Sequence, residues 1–188
     1  TEPAERRLAL TLLRLSEALA RAADDYRPSH LTAYLFELAS HYLDSVQHRD
    51  GAQYSYQARG GPTHVMTAEG LLCRIYLGWN KDNPALMDGV EYLEENHLPH
   101  AGEPNMYYWY YATQTLHHLG GSTWDRWNLK MRDVLVNTQE KGGRYAGSWP
   151  PRGGHASAGG RLYMTALATC TLEVYYRHLP IFRQIDVD

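Results

Sequence analysis

A pattern of three elements is written twice in this 188-residue chain. Gln47 to Gly51, Arg59-Gly60-Gly61 and Met66-Thr67-Ala68 return in the same order as Gln139 to Gly143, Arg152-Gly153-Gly154 and Met164-Thr165-Ala166. The copies lie roughly 95 residues apart, about twice the ~40 to 50 residues of a two-helix repeat, and helix signals from Pro84 to Leu119 fill the interval. Three successive helical hairpins follow. Each has one helix ending near the glutamine position, a glycine-rich loop, and a second helix opening on small residues. Such units bury their apolar faces only against neighbours, so the pattern predicts an all-α chain of stacked hairpins.

Local signals place the helices. Caps and stops such as Asn83-Pro84, Gly120-Gly121 and Pro180 predict helices at Thr63 to Trp79, Pro84 to Leu98, Asn105 to Leu119, Thr123 to Gln139 and Gly160 to Leu179. No pair of alternating runs predicts a β-hairpin. Upstream the composition changes: residues 1–40 hold no Gly and no Trp, whereas all 16 Gly and all 5 Trp come later. There Leu8, Leu12, Leu15, Leu19, Ala22 and Tyr26 recur at helical spacing and predict an amphipathic helix ended by Pro28. Ser29 is placed to cap a second helix, with Leu31, Tyr34, Leu35, Leu38, Tyr42 and Val46 on one face to about Gln47. The change of regime near Ser40 falls inside that helix and divides the chain into residues 1–40 and 41–188.

With 44% hydrophobic and 21% charged residues the composition is globular, and no apolar run approaches the ~20 residues of a membrane span. A net charge of -3 gives no general attraction to nucleic acid, so RNA contact needs a local patch. Cys73 and Cys170 form no C-x-x-C motif and suit a reducing compartment, which predicts a cytoplasmic location. The chain starts at Thr1 and not at a methionine, so a fragment or processed form is expected.

At Val134 to Gln139, Gly142-Gly143, Tyr145 and Gly147-Ser148-Trp149 the chain resembles the Gln-Trp repeat of squalene and terpenoid cyclases and the prenyltransferase repeat. A degenerate copy is Tyr42 to Gln47 with Asp50-Gly51, where Tyr54 and Tyr56 stand in for Trp. The resemblance spans residues 41–188, including Tyr163 to Leu167 and Leu172 to Tyr176, and is similar to bacterial squalene-cyclase-like repeat proteins. It implies part of an α/α toroid, a double ring of inner and outer helices, and an apolar or isoprenoid ligand. Gln47, Gly51, Gln139, Gly143 and Trp149 are then structural, since a Gln can bond backbone at a helix end and a Trp can stack on the preceding turn. The cyclases' Asp-x-Asp-Asp acid has no match; Asp24-Asp25 is the only adjacent Asp pair and lies outside the repeats. The zinc site of protein prenyltransferases is also unmatched, because Leu71 and Ala168 stand two residues before the cysteines. No metal or cofactor is expected, and the domain reads as a binding or scaffold module; a terpenoid cyclase or prenyltransferase-type enzyme fragment is the alternative.

Glu2 to Leu10 together with Leu31 to Ala39 resembles part of the anticodon-binding helical domain at the C-terminus of arginyl-tRNA synthetases, and the similarity stops near Ser40. This implies a further alternative, a tRNA-binding fragment of an arginine-tRNA ligase, joined to the repeats by fusion or as a chimera.

Candidate chemistry sits in the repeats. Tyr107, Tyr108, Trp109, Tyr110 and Tyr111 cover every face of one predicted helix, suited either to lining a cavity that stabilises cations by π-faces or to burial on all sides. His64 and His155 precede equivalent helices and are placed to share one cavity mouth as an acid/base pair. Glu69 and Glu173 are the carboxylate candidates, with helix-face salt links as their structural reading. His117-His118 at a helix end favours the dipole, and Gly153 to Gly160 reads as a flexible link that permits close helix approach more than as an anion cradle. An incomplete ring exposes Tyr175, Tyr176, Leu179 and Ile181, which predicts self-association.

Overall fold

The computed structural model describes residues 30–177. The chain divides into two compact units, Thr1–Ala39 and Ser40–Asp188. The predicted Leu8 to Tyr26 stripe, and Leu179 and Ile181, lie outside the described residues.

The fold is all-α apart from one minute ladder. In chain order the elements are α1 (His30–Val46), β1 (Gln47–His48), a 3-10 turn (Arg49–Gly51), β2 (Gln53–Tyr54), α2 (His64–Tyr76), α3 (Pro84–Asn96), α4 (Met106–Leu119), α5 (Gly121–Thr138), a second 3-10 turn (Gly143–Tyr145), α6 (Ala156–Leu172) and α7 (Val174–Arg177). The starts follow from caps. Thr63 Oγ1 accepts the N–H of Met66, Asn83 Oδ1 accepts those of Ala85 and Leu86 ahead of Pro84, and Asn105 Oδ1 accepts that of Tyr108. Among the described residues no helix is long and apolar enough to cross a membrane.

Three sequence readings need correction. A β-hairpin exists: Gln47 pairs with Tyr54 and His48 with Gln53, in strands too short to show alternation. Its turn is made by left-handed backbone at Arg49 (φ 50°), Asp50 (φ 57°) and Gly51 (φ 100°), a conformation that only Gly adopts freely. The last predicted helix begins earlier and breaks sooner, starting at Ala156, passing a kink at Gly160 (φ 66°) and ending at Leu172, so α7 is separate. On α1 the predicted apolar face is largely exposed at Tyr34, Leu35, Leu38 and Tyr42; of its described members only Val46 is buried, beside Leu43.

Within the second unit α2, α4 and α6 lie side by side with α4 in the middle; α3 packs on α2 and α4, and α5 packs on α4. Leu71, Leu86, Leu93, Leu116, Trp127, Met131, Leu135 and Met164 are fully buried between these helices. The two copies of the sequence repeat make the same contact. The N–H of Tyr54 donates to Thr67 Oγ1 (3.1 Å), and the N–H of Trp149 donates to Thr165 Oγ1 (3.2 Å), so each glycine-rich loop is pinned to the first turns of the following helix. Each aromatic ring is then held by a different partner. Arg74 donates to the Tyr54 hydroxyl (3.0 Å) and pairs with Asp44 (2.5 Å), while Trp149 Nε1 donates to the Leu135 carbonyl (2.9 Å).

Gly70 marks where the first ring needs room. A Cβ there would stand 2.3 Å from Tyr54 Cγ. Helix propensity alone favours Ala over Gly by about 1 kcal/mol, whereas overpacking costs about 1–3 kcal/mol. Denaturant unfolding of Gly70→Ala should therefore show a net loss of stability; a gain would mean that Tyr54 does not pack as described.

Candidate functional site

Helical spacing gathers a row of reactive side chains where α2 and α4 run alongside each other. On α2, Glu69, Cys73 and Tyr76 recur at four- and three-residue steps, which puts them on one face. On α4 the same rule groups Tyr107, Tyr110 and Tyr111. The Tyr107 and Tyr111 rings meet edge to face (4.9 Å between centroids, 64°), and Tyr110 meets Tyr111 likewise (5.1 Å, 78°). From the loop ahead of α6, His155 sets its ring against Tyr107 at 5.2 Å. Further down, the Tyr76 hydroxyl lies 3.4 Å from His118 Nε2.

The Tyr107 hydroxyl lies close to the Glu69 carboxylate and to the Tyr111 hydroxyl. Burial pushes the Glu69 carboxyl above its ordinary value, while the Tyr107 hydrogen bond and nearby His155 pull it partway back. One carboxylate oxygen, Oε1, is buried without a hydrogen-bond partner. Burial also raises the Tyr107, Tyr111 and Tyr76 hydroxyls and the Cys73 thiol, so the phenols stay neutral throughout the physiological range. The arrangement is a half-buried carboxyl with a neutral phenol donor, bordered by aromatic rings and one imidazole.

Other sequence candidates go elsewhere. Tyr108 and Trp109 are core residues at 2% exposure, so the aromatic run does not line one surface. Tyr108 packs edge to face on Trp127 (5.8 Å) and on His64 (4.6 Å). His64 stacks on His97 (4.5 Å, 19°), whose Nε2 lies 3.0 Å from the Tyr92 hydroxyl; burial pushes both imidazoles down. His64 and His155 therefore pack on different tyrosines and do not form a pair. The small cavity of about 100 Å³ beside His64 is lined by His97, Asn105 and Tyr108. His117 and His118 are buried, with His117 against Trp124 at 4.9 Å, and are packing residues more than dipole caps open to water. Glu173 is exposed at the C-cap of α6.

Of the motif glutamines, only Gln139 holds backbone, whereas Gln47 meets a side chain. Gln47 Oε1 accepts from Arg74 (3.3 Å), and Gln139 Nε2 donates to the Gly147 carbonyl (3.0 Å). Gly51 and Gly143 both have positive φ, 100° and 71°. Gly153 is needed for close approach, since a Cβ there would fall 1.9 Å from the Pro104 carbonyl oxygen. Among the described residues no group of three or more His, Cys, Asp or Glu is placed to hold a metal ion.

The model of the DALR anticodon binding domain matches residues 1–47, about a quarter of the chain, and so reaches beyond Ser40 to the end of α1. No curated protein and no solved structure matches. The resemblance of residues 41–188 to squalene-cyclase repeats has no counterpart among these findings.

Because its folded pKa is raised above the ordinary 4.5, Glu69 contributes stability that is complete below that pH and lost as pH rises through the folded value. Glu69→Gln removes this loss. Its gain in urea midpoint over the parent should be near zero at pH 4 and grow towards pH 7; a gain that does not change with pH would contradict the placement of this carboxyl.

Proposed function

We propose that this chain binds tRNA through residues 1–47. The reading is carried by the match of that stretch to the DALR anticodon binding domain. The chain's net charge of -3 supplies no broad attraction, so the contact depends on local cations. Arg6, Arg7, Arg14, Arg21 and Arg27 are those available in the matched stretch. Binding of arginine tRNA by the full chain, followed by gel shift at about 50 and 200 mM salt, tests it. Salt-sensitive binding that weakens when the anticodon loop is replaced, and again when Arg6 and Arg7 become Glu, is the expected result. Absence of binding, or equal affinity for a loop-swapped tRNA, would overturn it.

A second reading concerns residues 41–188: a helical-repeat scaffold similar to the squalene-cyclase repeat, taking an apolar or isoprenoid ligand and assigned no reaction. The observation favouring it is the alternation of α2, α4 and α6 in one row with α3 and α5 packed against it, joined by loops that repeat the Thr67 and Thr165 contact. A double ring of helices continues that alternation. Its test forms one arm of the experiment that follows.

A further inference from the structure

We propose that Glu69, Tyr107, Tyr110, Tyr111 and His155 form a binding site for an organic quaternary ammonium ion. The inference goes beyond both readings above and does not rest on tRNA binding.

The first observation is an anion without a counter-cation. Glu69 is half-buried, one of its oxygens is buried without a partner, and among the described residues no Lys or Arg pairs with it. A carboxylate removed from water is costly unless it is matched by opposite charge. The basic group that bears on it is His155. The neighbouring Tyr107 phenol is neutral and supplies no positive charge.

The second observation is the wall around that charge. Three tyrosine rings from successive turns of α4 stand at steep angles to one another, and the His155 ring is turned 73° from Tyr107. Rings that meet edge to face leave their outer π-faces turned in different directions, which suits a cation whose charge is spread over methyl groups. Such an ion needs no hydrogen bonds, is easily stripped of water and gains from both the ring quadrupoles and the carboxylate. A hydrated metal ion gives up its water shell less readily and gains less from the ring quadrupoles. The three tyrosines are only partly buried, whereas the rest of α4 is buried, so ligand contact is confined to this part of the helix.

The experiment titrates the full chain with choline and with 3,3-dimethylbutanol, its uncharged isostere, by calorimetry at pH 7.5, with farnesol as a separate apolar arm. Choline should bind, and the isostere should bind at least about tenfold more weakly. Glu69→Gln, which leaves the shape of the site intact, should also weaken choline about tenfold. Tyr111→Phe should keep choline affinity within about twofold because the π-face remains, whereas Tyr111→Leu should lose it. Equal binding of choline and its isostere, unchanged affinity in Glu69→Gln, or no choline binding at millimolar concentration would each overturn the proposal. Farnesol binding without choline binding would overturn it too, while supporting the apolar-ligand reading; the tRNA assay is independent of all these arms.

Discussion

Helix α4 is enclosed on nearly all sides, and the packing of the described part of the second unit depends on how that enclosure is satisfied. Every residue of Met106–Leu119 is buried except Tyr107, Tyr110 and Tyr111. A helix surrounded in this way must match its polar groups internally, because no water reaches them. Thr113 accepts a hydrogen bond from Trp127 Nε1 (2.9 Å), which fixes α5, and Thr115 donates to the Ala68 carbonyl (3.1 Å), which fixes α2. Two threonines thus set the positions of the neighbours on two sides. The same enclosure explains the site. Where it opens, three tyrosines are left on one face, and the carboxyl of Glu69 on the next helix lies against them.

Much of this architecture was legible in the sequence because it rests on local chemistry. Asn83-Pro84 and Asn105 cap as their residue types require, and Gly120 ends α4 with a φ of 65°. The duplicated Thr67 and Thr165 were visible as parts of a repeat, and the structure gives them one shared hydrogen bond. The β-hairpin was not legible, since two residues per strand carry no periodicity and its turn depends on left-handed Arg49 and Asp50, types with no special preference for that conformation in the case of Arg. The break between α6 and α7 was hidden because no Gly or Pro marks Glu173.

The site was half legible. Glu69, His155 and the tyrosine run were all picked out by residue type, but five consecutive aromatics conceal which of them share a face. Helical spacing separates Tyr107, Tyr110 and Tyr111 from Tyr108 and Trp109, and the burial of the latter pair follows from that separation. Cys73 is legible as a lone thiol, but its place on one face with Glu69 and Tyr76 shows only once α2 is defined. His64 and His155 precede equivalent helices, but the stacking of His64 on His97 depends on the long connection between α3 and α4, which no repeat position predicts.

Because α4 is enclosed by its neighbours, it is expected to open only when the packing around it is lost as a whole. Native-state hydrogen exchange of the full chain tests it most directly, because regions that open locally exchange at lower free energies than the global value. The account predicts that the backbone amides of Ala112 to Leu119 exchange only by global unfolding, while those of α3 and α5 include positions that open more easily. Exchange of the α4 amides through an opening less costly than that of α3 would contradict it.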